Sequence, residues 1–165
     1  MPDDEAFRAF ATRLVPNLQR SAYLLCGDWQ IAEDLVQNTL TNVYVHWRRV
    51  TSADSPDAYV QGMLISAARS RWRRTADRPF VGPIPNGEPA ADDDHAVAIV
   101  QRDALLTALL ELPLGERAVV VLRHLLGFSQ AETATALGVS VGTVKSQTSR
   151  ALVALRRHLS EESKT

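Results

Sequence analysis

The stretch SQAETATALGVSVGTVKS, residues 129–146, indicates the fold of the C-terminal half of this chain. Ser129 and Glu132 have the spacing of a capping box, in which two side chains bind the first turn of a helix reciprocally. Gly138 suits the left-handed backbone that ends a short helix, and Ser140 is a favourable N-cap for the next helix. Two capped helices separated by a tight turn predict a helix-turn-helix.

The outward positions of the second of these helices are small, polar or cationic, and no acidic residue lies between positions 139 and 159. In a helix-turn-helix the second helix enters the major groove, where such side chains meet phosphates and base edges. An ordinary helical hairpin with a solvated face has the same pattern. The motif also occurs in several kinds of regulator, so alone it indicates DNA and not a role. The outward and flanking residues are Gly142, Thr143, Lys145, Ser146, Gln147, Ser149 and Arg150.

Apolar side chains recur at steps of three and four along the rest of the chain, and no segment alternates with period two for long. This periodicity predicts amphipathic helices and an all-α fold. Gly27 and Asp28 end one helix and begin the next, and Ser55-Pro56 is a typical helix start. The predicted helices cover residues 3–26, 28–50, 56–74, 98–112, 116–126, 130–137 and 141–159.

Residues 76–97 separate the two helical halves. This segment contains four prolines, and positions 81–97 carry four acidic residues and no lysine or arginine. Such a composition predicts a linker that cannot bury enough apolar surface to fold. We therefore expect small helical domains at residues 1–75 and 98–165, joined by a flexible acidic linker. As a coil the linker spans roughly 26 Å, so the domains should pack together when the chain is free and separate on a larger partner.

The composition is that of an ordinary globular protein, with 45% hydrophobic and 22% charged residues. A single cysteine excludes an intramolecular disulfide, and the four histidines are scattered, so no metal site or cofactor is expected. We expect Cys26 to be a small core residue, with a redox switch as the minor alternative. There is no phosphate loop, nucleophile elbow or evident carboxylate pair, so we predict no catalytic residue and no enzyme.

No apolar run approaches the ~20 residues that cross a bilayer, and the first residues are acidic where a signal peptide would be basic. We therefore expect a cytoplasmic chain with no membrane insertion. Few residues follow the last predicted helix, so no extra sensory domain is expected.

The third predicted helix ends in an arginine-rich stretch around Trp72. Cations beside an aromatic ring can hold phosphates and stack on an unpaired base. Alternatively, the arginines complement the dipole of their own helix, and Trp72 packs inside. The arginines are Arg69, Arg71, Arg73 and Arg74.

Taken together, these segments resemble a known family. The series AEDLVQ at 32–37, Tyr44, Trp47, Ala58-Tyr59 and the arginine-rich helix end resembles region two of bacterial sigma factors. The series LP at 112–113, RAVVVLR at 117–123, GFS at 127–129 and LGVSVGTVKS at 137–146 resembles region four. With two regions and a short linker over about residues 5–158, the chain is similar to the extracytoplasmic-function (ECF) group.

The resemblance implies roles by position. The second helix would dock on the β′ coiled coil of RNA polymerase core, and region four would meet the β flap. The third helix would bind and help open the −10 element of promoter DNA, and the helix-turn-helix would read the −35 element. An anti-sigma protein is a further partner. The implied contacts are Asp34, Leu35, Gln37 and Asn38 for the polymerase; Ser66, Arg69, Trp72, Arg73 and Arg74 for −10; and Thr143, Lys145, Ser146, Gln147, Ser149 and Arg150 for −35.

The chain departs from the family pattern at four positions. Asn38 replaces a usual glutamate, Ser66 an asparagine, Thr133 an aliphatic residue and Gln147 a common arginine. Glutamine suits adenine and lacks the phosphate-binding charge, so we expect an altered promoter sequence. Two alternatives stay open: a stand-alone helix-turn-helix regulator, and a degenerate sigma factor that sequesters a partner. The first leaves the Asp34–Gln37 face and the arginine–tryptophan surface unexplained.

Overall fold

The computed structural model describes residues 3–74 and 96–162, and every regular element in those ranges is helical. This confirms the all-α prediction. The predicted linker lies outside the described residues except for positions 96 and 97, which begin α5. The helices are α1 Asp4–Cys26, α2 Trp29–Val45, α3 Trp47–Thr51, α4 Pro56–Arg74, α5 Ala96–Glu111, α6 Leu114–Val120, α7 Gln130–Leu137 and α8 Val141–Glu162, with a π-helical turn Val121–Leu125 after α6.

Capping chemistry sets the helix boundaries where the sequence predicts them. The Asp28 carboxylate accepts from the first amides of α2, and both halves of the Ser129–Glu132 capping box are formed at α7. Gly27 and Gly138 have φ angles of 74° and 66°, the left-handed conformation that glycine adopts without a Cβ clash. These local bonds satisfy amides and carbonyls that a helix end leaves unpaired.

Two irregularities interrupt helices that periodicity predicted as continuous. The backbone leaves helical geometry at His46, with φ −106° and ψ 32°, and separates α2 from α3. The break lets the Trp47 ring pack edge-on against Phe7 and Phe10 at 5.9 and 5.3 Å, while Val50 is fully buried. The π-helical turn lengthens the end of α6. The apolar spacing predicts neither change, because each depends on how the side chains pack against other helices.

The two halves share one hydrophobic core. Residues of α1, α2 and α4 form a buried cluster that continues into α6, α7 and the start of α8, and a second cluster lies among α5, α6 and α8. The packing of the two halves agrees with the expectation from the linker length. The buried residues that join the first cluster from the C-terminal half are Ala118, Val119, Leu122, Ala134, Leu137 and Val144.

Close approach between the halves requires glycine at one point, Gly62, and a second glycine contacts a side chain of the other half. A Cβ on Gly62, in the middle of α4, would lie 2.5 Å from the carbonyl oxygen of Ala136 in α7. A Cβ on Gly27, at the end of α1, would lie 2.8 Å from a methyl carbon of Leu110 in α5. At Gly62 the backbones of α4 and α7 therefore meet at a distance that a side chain would prevent, whereas the end of the Leu110 side chain could move aside from a Cβ at position 27.

We predict that Ser129→Ala lowers the free energy of unfolding by about 1 kcal/mol, because α7 loses its N-cap hydrogen bond. Urea denaturation followed by circular dichroism measures this change. Ser160→Ala, at an exposed position of α8, is the matched control and should change the stability by less than about 0.5 kcal/mol. Equal effects of the two variants would contradict the assigned role of the cap.

Candidate nucleic-acid interface

The outer face of α8 is exposed and carries cations and hydroxyl groups. Ser140 begins the helix by accepting the Thr143 amide at 3.1 Å. Four exposed side chains lie on this face, and Thr143 beside them is half-buried. Because no acidic residue occurs from 141 to 159, the face does not repel phosphate. The four exposed residues are Lys145, Ser146, Ser149 and Arg150.

Gln147 lies apart from that face, although the sequence assigned it to the same surface. It is half-buried between α6 and α8, and its Nε2 atom is 2.9 Å from where a Cβ on Gly115 would lie. Its Oε1 atom is buried with no hydrogen-bond partner. Gln147 follows buried Val144 by three residues and precedes buried Ala151 by four, which is the spacing of an inward stripe. This spacing in the sequence therefore indicates that Gln147 lies on the inward side of α8.

Arg150 has one acidic neighbour. Its Nε atom lies 3.9 Å from a carboxylate oxygen of Glu116, at the outer limit of an ion pair, and its side chain is 65% exposed. An ion pair at this distance with an exposed arginine contributes little. The guanidinium therefore keeps its capacity to bind phosphate.

The end of α4 divides into an exposed and a packed part. Ser66, Arg73 and Arg74 are exposed, and Arg69 is half-buried. Trp72 packs against the shared core, and the guanidinium carbon of Arg117 lies 5.5 Å from its ring centroid. The sequence left open whether Trp72 stacks on a base or packs inside. In this structure it is packed.

A groove of about 560 Å³ runs between α4 and the end of α7. An aromatic ring, a cation and hydrogen-bonding groups line it, which is the combination that holds an unpaired nucleotide. The sequence singled out Ser66 and Arg69 but missed the residues that α2 and the start of α4 place beside them. The chief lining residues are Asn42, His46, Tyr59, Ser66, Arg69 and, from α7, Thr135.

The outer face of α2 is exposed and polar. Asp34, Gln37 and Asn38 lie on it, as expected for a docking surface. Leu35 does not, because it is 2% exposed and belongs to the shared core. Leu35 shares the inward side of α2 with buried Ala32 and Val36. It can therefore stabilise the exposed surface by packing behind it but cannot contact a partner.

Arg117 is a buried charged group at the contact between the two halves. It is 0% exposed, and its guanidinium donates to the carbonyl oxygens of Leu109 at 2.8 Å, Leu112 at 2.8 Å, Leu110 at 3.1 Å and Leu25. Burial lowers the pKa of Arg117 to about 10, so it remains charged at neutral pH.

Cys26 is buried and donates to the carbonyl of Ala22 at 2.9 Å. Its place in the shared core confirms the core interpretation, and burial raises the pKa of its thiol to about 11. Within residues 3–74 and 96–162, no cluster of three or more histidine, cysteine or acidic side chains could hold a metal ion. None of the described helices combines the length and apolarity needed to cross a membrane.

The family comparison covers both halves. A profile described as Sigma-70 region 2 matches residues 10–78, and one described as Sigma-70, region 4, matches residues 102–155. The RNA polymerase sigma-E factor of Streptomyces avermitilis is 38% identical over 143 residues, which are 86% of this chain and 78% of the relative. The ECF RNA polymerase sigma factor SigM of Mycobacterium tuberculosis is 30% identical over 95% of this chain and 79% of its own length.

Solved structures agree with this result. The sigma factor RpoE from Bartonella quintana, in complex with the anti-sigma factor NepR, superimposes with a TM-score of 0.73 and 25% identity, over 94% of this chain and 98% of that one. CnrH, solved with the cytosolic domain of CnrY, shares the fold with a TM-score of 0.67 and 22% identity, over 96% and 90%. The chain belongs to the sigma-70 family of transcription initiation factors. Within that family it is a sigma factor of the ECF group.

We predict that Arg117→Met lowers the free energy of unfolding by about 3 kcal/mol or more, since several buried carbonyls lose a charged donor. Arg117→Lys keeps the charge but not the planar fork of donors, so its effect should be smaller. Urea denaturation checks both. The control Arg20→Met, at an exposed position of α1, should stay within about 0.5 kcal/mol. A stable Arg117→Met variant would show that the guanidinium does not stabilise the contact among α1, α5 and α6.

Proposed function

We propose that this sigma factor binds RNA polymerase core through the outer face of α2 and contacts the −35 element through the outer face of α8. The α4 surface would bind the −10 element and help open it. One observation carries the proposal: the described part of the chain presents a capped helix-turn-helix whose outer face is cationic and free of acidic residues. The region 2 match disfavours a stand-alone regulator, which has no need of that half.

In this role the chain would position the polymerase on promoter DNA and bind the opened DNA strand. The polymerase would catalyse the bond formation. Phosphate contacts from Lys145 and Arg150 would fix the register on the duplex, and hydroxyl groups beside them would meet base edges. Such a protein acts where polymerase and chromosome meet, which in bacteria is the cytoplasm. No cofactor is required for this role.

The family departures fall on different parts of the fold. Asn38 and Ser66 are exposed, so they can alter the contacts that α2 and α4 make. Thr133 is fully buried with no hydrogen-bond partner for its hydroxyl, and Gln147 is at the α6–α8 contact. We infer that promoter preference differs through Ser66, because Gln147 packs at the α6–α8 contact and lies apart from the DNA-binding face of α8.

An anti-sigma protein is the further partner that we propose. The RpoE structure is that of a sigma factor bound to the anti-sigma factor NepR, and CnrH was likewise solved with a partner, the cytosolic domain of CnrY. The fold of this chain matches them over nearly its whole length. A partner of this class would hold the protein inactive until a signal releases it.

We predict that Lys145→Glu combined with Arg150→Glu abolishes binding to −35 duplex DNA but leaves polymerase binding unchanged. Any binding that remains at low salt should show a slope of log affinity against log salt that is smaller by about 2, because two phosphate contacts are lost. Fluorescence anisotropy on duplexes selected from a promoter library measures both quantities. Arg8→Glu combined with Arg20→Glu, exposed on α1, makes the same charge change and should retain binding. Promoter selection that survives in the first variant would move the recognition surface elsewhere.

We predict that Asp34→Arg weakens binding to bacterial RNA polymerase core by about tenfold or more, because a charge reversal at a contact costs at least about 1.4 kcal/mol. Co-elution with core enzyme on a sizing column tests the interaction, and a titration gives its affinity. Asp103→Arg, exposed on α5, is the matched control. If wild-type protein eluted alone yet shifted duplex DNA, a stand-alone regulator would be the better description.

A further inference from the structure

An acidic side chain from outside α8 approaches the DNA-binding face of that helix. It belongs to Glu116 in the first turn of α6, and its carboxylate lies 3.9 Å from the Nε atom of Arg150. We propose that Glu116 is a specificity-determining residue, which positions Arg150 and limits binding to duplex DNA other than the −35 element. The inference rests on the proposed function, because it takes the outer face of α8 as the −35 surface.

Arg150 is held by its Nε atom and not by the end of its guanidinium. The Nε–H group donates to the carbonyl oxygen of Ser146, one turn earlier on α8, at 3.4 Å. The same atom faces the Glu116 carboxylate, so both polar contacts that Arg150 makes with the described residues use Nε. The terminal Nη1 and Nη2 groups are therefore available, and these two donors form the fork that binds a phosphate.

Packing between α6 and α8 keeps Glu116 beside Arg150. The Glu116 side chain is 16% exposed, whereas that of Arg150 is 65% exposed. The two helices approach closely here, because a Cβ on Gly115 would lie 2.9 Å from the Nε2 atom of Gln147, three residues before Arg150. The carboxylate therefore moves less freely than one on an open surface. Its place in the first turn of α6 also favours its negative charge.

The carboxylate affects DNA binding in two opposite ways. It restricts Arg150 to orientations along α8, so a phosphate that meets the fork there costs less side-chain entropy. It also repels that phosphate, since exposed charges interact over about 8 Å at physiological salt. In the −35 complex, base contacts fix the register of α8, and the first effect offsets the second. On other sequences the helix has no single register, so the orientation brings no gain and the repulsion remains.

Glu116→Gln in the full-length chain tests the proposal, because it removes the charge at nearly constant size. Fluorescence anisotropy would compare a −35 duplex selected from a promoter library with a scrambled duplex of the same length. Binding to the scrambled duplex should tighten about fivefold, and its slope of log affinity against log salt should steepen by about 0.9. Affinity for the −35 duplex should change by less than about twofold, because the two effects oppose each other there. Glu5→Gln, exposed in the first turn of α1, is the matched control and should leave both affinities unchanged.

Two further variants test whether Glu116 acts through Arg150. In the Arg150→Gln chain, adding Glu116→Gln should change the specificity ratio by less than about twofold, because no phosphate is held beside position 116. Glu116→Asp keeps the charge but shortens the side chain, so it should weaken binding to the −35 duplex by about threefold and leave the scrambled duplex unchanged. A merely structural role of Glu116 would lower the melting temperature without altering the salt slope.

The outcomes separate this inference from the proposed function. Tighter binding to the scrambled duplex that disappears in the Arg150→Gln chain supports the role of Glu116. If Glu116→Gln leaves the specificity ratio unchanged, or has the same effect in both backgrounds, the inference is overturned while the assignment of α8 stands. If no form of the protein distinguishes the −35 duplex from the scrambled one, the assignment of α8 fails, and the inference about Glu116 fails with it.

Discussion

The guanidinium of Arg117 is a full charge buried without a carboxylate beside it. Such a burial is costly unless the charge is hydrogen-bonded and compensated. Here the compensation comes from the C-terminal ends of α1 and α5, whose last carbonyls converge on one side chain. Each helix end carries about half a negative charge, so two of them offset roughly one cation. The corner between α5 and α6 and its contact with α1 both depend on this arrangement.

That corner determines where the functional surfaces lie. With α1 fixed against α5, α7 lies along α4, and their backbones touch at Gly62 and Ala136. The outer faces of α2 and α8 then point away from the shared core, and the end of α7 lines the groove beside Ser66 and Arg69. The surfaces that we propose for polymerase and duplex DNA are thus separated from the surface that we propose for a single strand.

Local and tertiary signals agree at most helix ends. Asp28, Ser129 and Ser140 each make the capping bond that their position predicted, and Gly27 and Gly138 take the left-handed backbone. When local sequence preferences agree with the tertiary packing, the native fold is favoured over other compact folds. The exceptions are the break at His46 and the π-helical turn at Val121–Leu125, where packing overrides continuous periodicity.

The sequence by itself determined the class of fold, the helix-turn-helix, the capped boundaries and the family, because these follow from short-range spacing and residue type. It also located the exposed residues Lys145, Arg150 and Asp34. The inward positions of Leu35 and Gln147 also follow from their spacing to apolar neighbours on the same helix. Only the tertiary structure decided that Trp72 packs against the shared core and that Arg117 joins the halves. Those outcomes depend on which distant backbone and side-chain atoms meet, and periodicity along one helix carries no record of its partner.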